Sequence, residues 1–166
     1  MPIEGIKQPE IINITDKLRL RKYDGTFEFA LHWYQDEETL MMVNHTPDKY
    51  DRNRLERMYT YLDNQGEEYF IEMLIEGVFT PVGDVTFCKD DLPIVIGEKT
   101  CRGKGIGKQV INSLINRAKI LGYTELRVDE IYKFNRASQN LFESCEFYKY
   151  ETTEKGFRYK LLLEII

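Results

Sequence analysis

The 166-residue sequence is poor in the residues that build metal centres or disulfide frameworks. It holds three cysteines, Cys88, Cys101 and Cys145, and two histidines, His32 and His45. The cysteines lack metal-ligand spacing, and an odd, scattered set fits reduced thiols in a cytoplasmic protein. Neither histidine has a second metal-type residue beside it, so no metal is expected. Basic charge is also short, with 23 Lys and Arg against 28 Asp and Glu for a formal net charge of −5. That balance argues against a nucleic-acid partner, because binding phosphate backbones requires a basic face. No apolar run is long enough to cross a bilayer, and no apolar run follows a basic segment at the N-terminus as a signal peptide would. Internal repeats and low-complexity linkers are missing too.

What is present suits one soluble domain over residues 1–166. Apolar residues make up 42% and charged residues 31%, enough to build a core of useful size. Leu18-Arg19-Leu20-Arg21 alternates with period two, so residues 14–22 read as a first strand. Residues 27–43 are helical in character with a break near Gln35-Asp36, and Phe27, Ala30, Leu31 and Tyr34 share one face. Trp33 lies close to that face as a core or pocket-wall anchor. Arg52 to Leu62 forms a second helix. Residues 69–75 and 82–87 form a hairpin around Glu76-Gly77. Residues 92–97 make a short apolar strand in the middle of the sheet.

The clearest helical stripe is Ile106, Val110, Ile111, Leu114, Ile115, Ala118 and Leu121, stopped by Gly122. A strand over 126–131, a helix over 135–145 and two strands over 147–150 and 157–163 complete the chain. The element order β-α-α-β-β-β-α-β-α-β-β describes a mixed α/β plan, one central sheet of about seven strands with four helices. Tyr50, Tyr59 and Tyr61 have no basic stripe beside them, so they read as core or pocket lining and not as base-stacking residues.

Between the strand at 92–97 and the striped helix lies Arg102-Gly103-Lys104-Gly105-Ile106-Gly107. Glycines let the backbone turn tightly, and the helix that follows presents unpaired N–H groups and its positive dipole end. Such a device binds a phosphate, with Lys104 and Lys108 adding charge beside it. A Walker loop is excluded, because Gly107-Lys108 is followed by Gln109 and the first required glycine falls on Arg102. The dinucleotide fingerprint G-x-G-x-x-G does not fit the spacing either. The pattern that fits is Arg/Gln-x-x-Gly-x-Gly, on Arg102, Gly105 and Gly107.

On these residues the chain resembles the GNAT superfamily of acetyl-CoA-dependent N-acetyltransferases. The element order agrees, as does a second motif, Asn-x-x-Ser/Ala-x-x-Leu-Tyr-x-x-x-Gly-Phe, matched here by Asn135, Ser138, Leu141, Phe142, Glu146 and Phe147. The resemblance implies acetyl-CoA as co-substrate. It implies that the pantetheine arm pairs with the backbone of Val95, Ile96 and Gly97. The pyrophosphate is then held from Gly103 to Lys108, including Gly105, Ile106 and Gly107, beside Arg102. Asn135 would bond the cofactor arm, with Ser138 in the same motif, and an asparagine there also suits a helix N-cap.

The sequence departs from the family at two positions: the acid tyrosine falls on Phe142 and the glycine on Glu146. Loss of the acid is survivable, because a thiol with pKa of about 8.5 is a tolerable leaving group.

The implied reaction is direct attack of an amine, pKa about 10.4, on the thioester, with a carboxylate taking the proton. Glu130 is the first candidate base because it alternates with Leu126 and Val128 and so should face inward. Asp91 is the second. Asp84, Asp90 and Trp33 are candidates for contact with the acceptor. The acidic balance favours a cationic small molecule, aminoglycoside- or polyamine-like. Within the superfamily the chain resembles the branch of ribosomal-protein and aminoglycoside 6′-acetyltransferases, so a peptide amine is the alternative acceptor. A non-catalytic acyl-CoA-binding module is a further alternative, motivated by Phe142. The apolar stretch 157–166 would serve a homodimer seam or the core equally well.

Overall fold

A computed structural model describes residues 2–164. Its strands fall into two sheets, of order β1-β2-β3-β4-β5 and β6-β8-β7, where one sheet was expected. The described residues also divide into two units. One contains the chain up to Thr86 with Ile94–Arg102, and the other contains Phe87–Pro93 with the chain from Gly103 onward.

In the first unit, β1 (Ile11–Thr15) and β2 (Leu18–Lys22) form a hairpin where a single strand was expected. The Thr15 hydroxyl accepts the Lys17 amide at 3.1 Å and closes the turn. A 3-10 segment, Glu28–Gln35, precedes α1 (Glu37–Asn44). The break expected near Gln35-Asp36 is therefore present. Asp36 caps α1 by accepting the Thr39 amide at 3.0 Å and its hydroxyl at 2.9 Å. The Lys99 ammonium, 2.8 Å away, leads the interactions that lower the Asp36 carboxyl to about 2.

Helix α2 (Arg52–Gln65) is capped by Asp51 and stops at Gly66. Strands β3 (Glu67–Ile75) and β4 (Val78–Phe87) turn at Glu76-Gly77 with φ of 49° and 79°. Two successive positive φ values give a tight hairpin turn whose twist matches the strands. Strand β5 (Ile94–Ile96) pairs with β4 and ends the sheet order. It is thus an edge strand and not a central one. Phe27, Trp33, Tyr34, Leu40, Tyr50, Leu55, Tyr59 and Phe70 form an aromatic core in this unit. Tyr61, expected as core or pocket lining, is 62% exposed and lines an open cleft on α2 with Glu56, Arg57 and Asn64. The α2 face that buries Leu55 and Tyr59 does not reach position 61.

In the second unit, α3 (Ile106–Ile120) buries its expected stripe from Ile106 to Ala118, Leu121 is its partly buried C-cap, and Gly122 follows with φ 80°. The other elements are β6 (Glu125–Tyr132), α4 (Arg136–Ser144), β7 (Tyr148–Thr152) and β8 (Gly156–Leu162). Strand β8 lies between β6 and β7 and is antiparallel to both. Helices α3 and α4 approach closely at Gly107, where an added Cβ would lie 3.2 Å from the Leu141 side chain.

Candidate active site

The glycine turn forms as the sequence suggests. Gly103 and Gly105 have φ of 73° and 77°, and a Cβ at either would meet nothing within 4 Å. The requirement for glycine is therefore conformational, and the space beside the turn is open. Gly105 occupies the N-cap of α3 without a side-chain cap bond, so no capping side chain competes for the first N–H groups of the helix. Lys104 and Lys108 are exposed beside them. An uncapped helix start, an open turn and two cations are the chemistry that a pyrophosphate requires.

Asn135 caps α4 by accepting the Ser138 amide at 3.1 Å and is itself buried. Helix α4 ends in a Schellman motif. The Phe147 amide bonds the Phe142 carbonyl at 3.0 Å, and the Glu146 amide bonds the Glu143 carbonyl at 3.0 Å. Glu146 has φ 72° and so adopts the left-handed conformation that the family fills with glycine. Phe142 is buried against Phe147 with ring centroids 5.2 Å apart.

Glu130 does not face inward. A register shift between Val128 and Ile131 breaks the alternation of β6 and leaves both Asp129 and Glu130 exposed. The Glu130 carboxylate accepts the Thr153 hydroxyl. Asp91 accepts the backbone amides of Leu92 and Asp129 at 3.0 and 3.1 Å. Burial raises its carboxyl despite those two bonds. Asp90 is exposed.

In the first unit, Gly83, Asp84 and Val85 of β4 lie opposite Ile96, Val95 and Ile94 of β5. Gly83 is required here, because a Cβ would lie 2.2 Å from the Val95 carbonyl oxygen. The Gly97 amide donates to the Val82 carbonyl at 2.8 Å, while the Ile96 carbonyl accepts Arg102 Nε at 2.9 Å. Successive residues of a strand direct their polar groups to opposite sides, which puts the Ile96 N–H on the edge away from β4. Arg102 also donates to Thr39 Oγ1 at 2.8 Å. It therefore ties the end of β5 to α1.

Trp33 is 1% exposed and packs on Gly97, where a Cβ would fall 2.2 Å from its ring. Its indole N–H donates to Glu98 Oε1 at 2.8 Å, and His32 Nε2 lies 2.7 Å from the same oxygen. Burial raises the Glu98 carboxyl, but these two partners more than offset it and the net shift is downward.

Asp84 is 3% exposed, and its Oδ2 accepts the Tyr34 hydroxyl at 2.6 Å and the Tyr59 hydroxyl at 2.8 Å. Burial pushes its carboxyl up to about 6, and the two hydroxyl bonds pull against that rise. Burial, followed by the nearby Asp84, raises both tyrosines. The sequence offered no local signal for these tyrosine bonds, for Glu98, or for Glu68. Glu68 is 0% exposed, and burial, then Asp84 and Asp63, push its carboxyl up to about 10.

Residues 27–147 match the family model for the acetyltransferase (GNAT) family. The chain belongs to that family. An acyl-CoA-dependent N-acetyltransferase with acetyl-CoA as co-substrate is the activity this membership carries. The fold agrees with solved structures of low identity. An acetyltransferase (GNAT family) from Bacillus anthracis superposes with TM-score 0.74 at 14% identity, covering 92% of this chain and 98% of that one. An acetyltransferase from Salmonella typhimurium that modifies the N-terminal serine of 50S ribosomal subunit protein L7/L12 gives 0.71 at 17%, covering 93% and 100%. The microcin C7 self-immunity acetyltransferase, solved with acetyl-CoA and AMP, gives 0.72 at 19%, covering 94% and 98%. In sequence the chain matches no curated protein. Among the described residues there is no group of three or more His, Cys, Asp or Glu able to hold a metal ion. No described helix is long and apolar enough to cross a membrane.

Proposed function

We propose that this chain is a single GNAT domain that transfers the acetyl group of acetyl-CoA to a cationic small-molecule amine. The observation that carries the cofactor half is the open, uncapped turn Gly103 to Gly105 at the start of α3. The residues from Gly103 to Lys108 take the pyrophosphate. In the first unit, the Ile96 N–H on the edge of β5 is the group offered to the pantetheine arm. The family match from 27 to 147 runs through residues of both units, which supports one domain.

The acceptor half rests on charge. The net charge is −5, and among the described residues the buried acids Glu68 and Asp84 have no lysine or arginine partner. Asp84 suits recognition of the amine better than removal of its proton, because both tyrosine hydroxyls already occupy its Oδ2. Asp91 is the candidate base with a raised carboxyl, and the exposure of Glu130 removes the reason for placing it first.

The test is thiol release from acetyl-CoA with a panel of polyamines, aminoglycosides, amino acids and short peptides. A signal confined to the polycations supports the reading. A signal confined to peptides moves the acceptor to a protein N-terminus, and binding without any release makes the chain an acyl-CoA-binding module.

The free thiols at Cys101 and Cys145 support a cytoplasmic location. A homodimer through the last strand, where Leu162 is 60% exposed, is testable by sedimentation. Ile165 and Ile166 of that stretch lie outside the described residues.

A further inference from the structure

Among the described residues Glu68 has no counter-charge. Neither of its carboxyl oxygens has a hydrogen-bond partner among the described residues, although the residue is 0% exposed. Its neighbour Gln8, also buried, donates to the Glu68 backbone carbonyl at 3.0 Å and leaves its own Oε1 unpartnered. An uncompensated buried carboxyl is costly, and such groups normally have a partner, an internal water or a ligand. Of the basic side chains along the sheet, Arg19 and Arg21 both pair with Glu72, Arg21 also stands over the Phe70 ring at 5.6 Å, and Lys22 lies 3.8 Å from Glu10.

The surroundings of Glu68 have a definite chemistry. It shares a face of β3 with Phe70, whose ring packs on Tyr23 at 5.8 Å and Tyr59 at 5.4 Å. Tyr23 and Tyr59 stack at 5.5 Å. The titratable groups that act on Glu68 and these rings are Asp84 of β4, Asp63 and Glu56 of α2, Asp24, Tyr23, Tyr34 and Tyr59. Tyr23 and Asp63 are partly exposed, so the acids run from near the surface at Asp63 through Glu68 to Asp84. Carboxylates among aromatic faces recognise alkylammonium groups; Lys22 acts on Asp63, while among the described residues no lysine or arginine pairs with Glu68 or Asp84.

We propose that Glu68 and Asp84, walled by Tyr23, Tyr59 and Phe70, form a binding subsite for the ammonium group of an aliphatic polyamine. This deepens the reading of the acceptor as a cationic amine and rests on it. Glu68 is pushed up to about 10, so it carries a proton at neutral pH. An ammonium arriving beside it favours the carboxylate, and the Glu68 proton leaves to the buffer.

The test is calorimetric titration of 1,4-diaminobutane into the full chain in two buffers of different ionisation enthalpy, with acetyl-CoA titrated separately. The wild type should bind the diamine and release protons. Glu68→Gln should weaken diamine binding by about tenfold or more, abolish the proton release, and leave acetyl-CoA binding unchanged. If Glu68→Gln does not fold, Asp63→Asn, at the partly exposed end, should weaken binding while proton release persists. Diamine binding that is unchanged in these variants, or that occurs without proton release, overturns the subsite. Acetyl-CoA binding with no diamine binding also overturns it, while sparing the acetyltransferase reading. Loss of acetyl-CoA binding in the wild type defeats that reading instead.

Discussion

The Phe147 amide donates to the Phe142 carbonyl at 3.0 Å, and the two rings meet edge to face at 5.2 Å. These are the long hydrogen bond and the hydrophobic contact of one Schellman motif. The family spacing aromatic-x-x-x-Gly-Phe is thus a helix-ending device, with the left-handed residue at its fifth position. Here that residue is Glu146, at φ 72°, and a side chain there strains the backbone. Glu146→Gly should stabilise the chain by about 1 kcal/mol, a rise of about 2–4 °C in Tm. Calorimetric melting checks this, and an unchanged or lower Tm would contradict it.

Gly97 and Trp33 form a second tight pair. Gly97→Ala places a Cβ 2.2 Å from the Trp33 ring and should also pull the indole from Glu98. Overpacking of this kind costs about 1–3 kcal/mol. Trp33 is the sole tryptophan, so its emission should shift to the red as the ring leaves the core. Unchanged emission together with unchanged stability would show that the strand yields easily.

Glu68 makes stability depend on pH. Its carboxyl is raised from 4.5 to about 10, so the folded chain binds a proton that the unfolded chain has released. The resulting stabilisation is complete below the unfolded value and is lost as pH rises toward 10. Asp84, raised from 3.8 to about 6, acts in the same direction over the lower part of that window. Glu68→Gln should therefore gain stability over wild type progressively between about pH 5 and about pH 9. Urea unfolding across that range is the measurement, and a constant difference would show that Glu68 does not titrate on unfolding.

The parts of the fold visible in the sequence were those set by local rules. The α3 stripe from Ile106 to Ala118 follows helical period, and Gly103, Gly105 and Gly122 stand where φ is positive. The Asp36 break is a capping signal, and the structure uses it as one. The misses are non-local. Period two carried Glu130 inward until a bulge, which alternation cannot foresee, turned it out. Strand β1 was hidden because Ile11–Thr15 shows no clean alternation, with partly buried and exposed residues interleaved irregularly. Strand β5 looks central because Ile94, Val95 and Ile96 are all apolar, yet each is only partly buried at a sheet edge. Glu68, Glu98 and the tyrosines on Asp84 acquire their meaning from partners 25 or more positions away, or from the lack of any.

The central claim is that acetyl-CoA is held by the turn at the start of α3. Lys104 and Lys108 are exposed there, so reversing their charge should cost little stability while repelling the cofactor's phosphates. The decisive measurement is calorimetric titration of acetyl-CoA into wild type and into the Lys104→Glu, Lys108→Glu double variant. The wild type should bind, and the double variant should bind at least about tenfold more weakly with its Tm preserved. Equal affinity in the two proteins would place the cofactor somewhere other than the glycine turn.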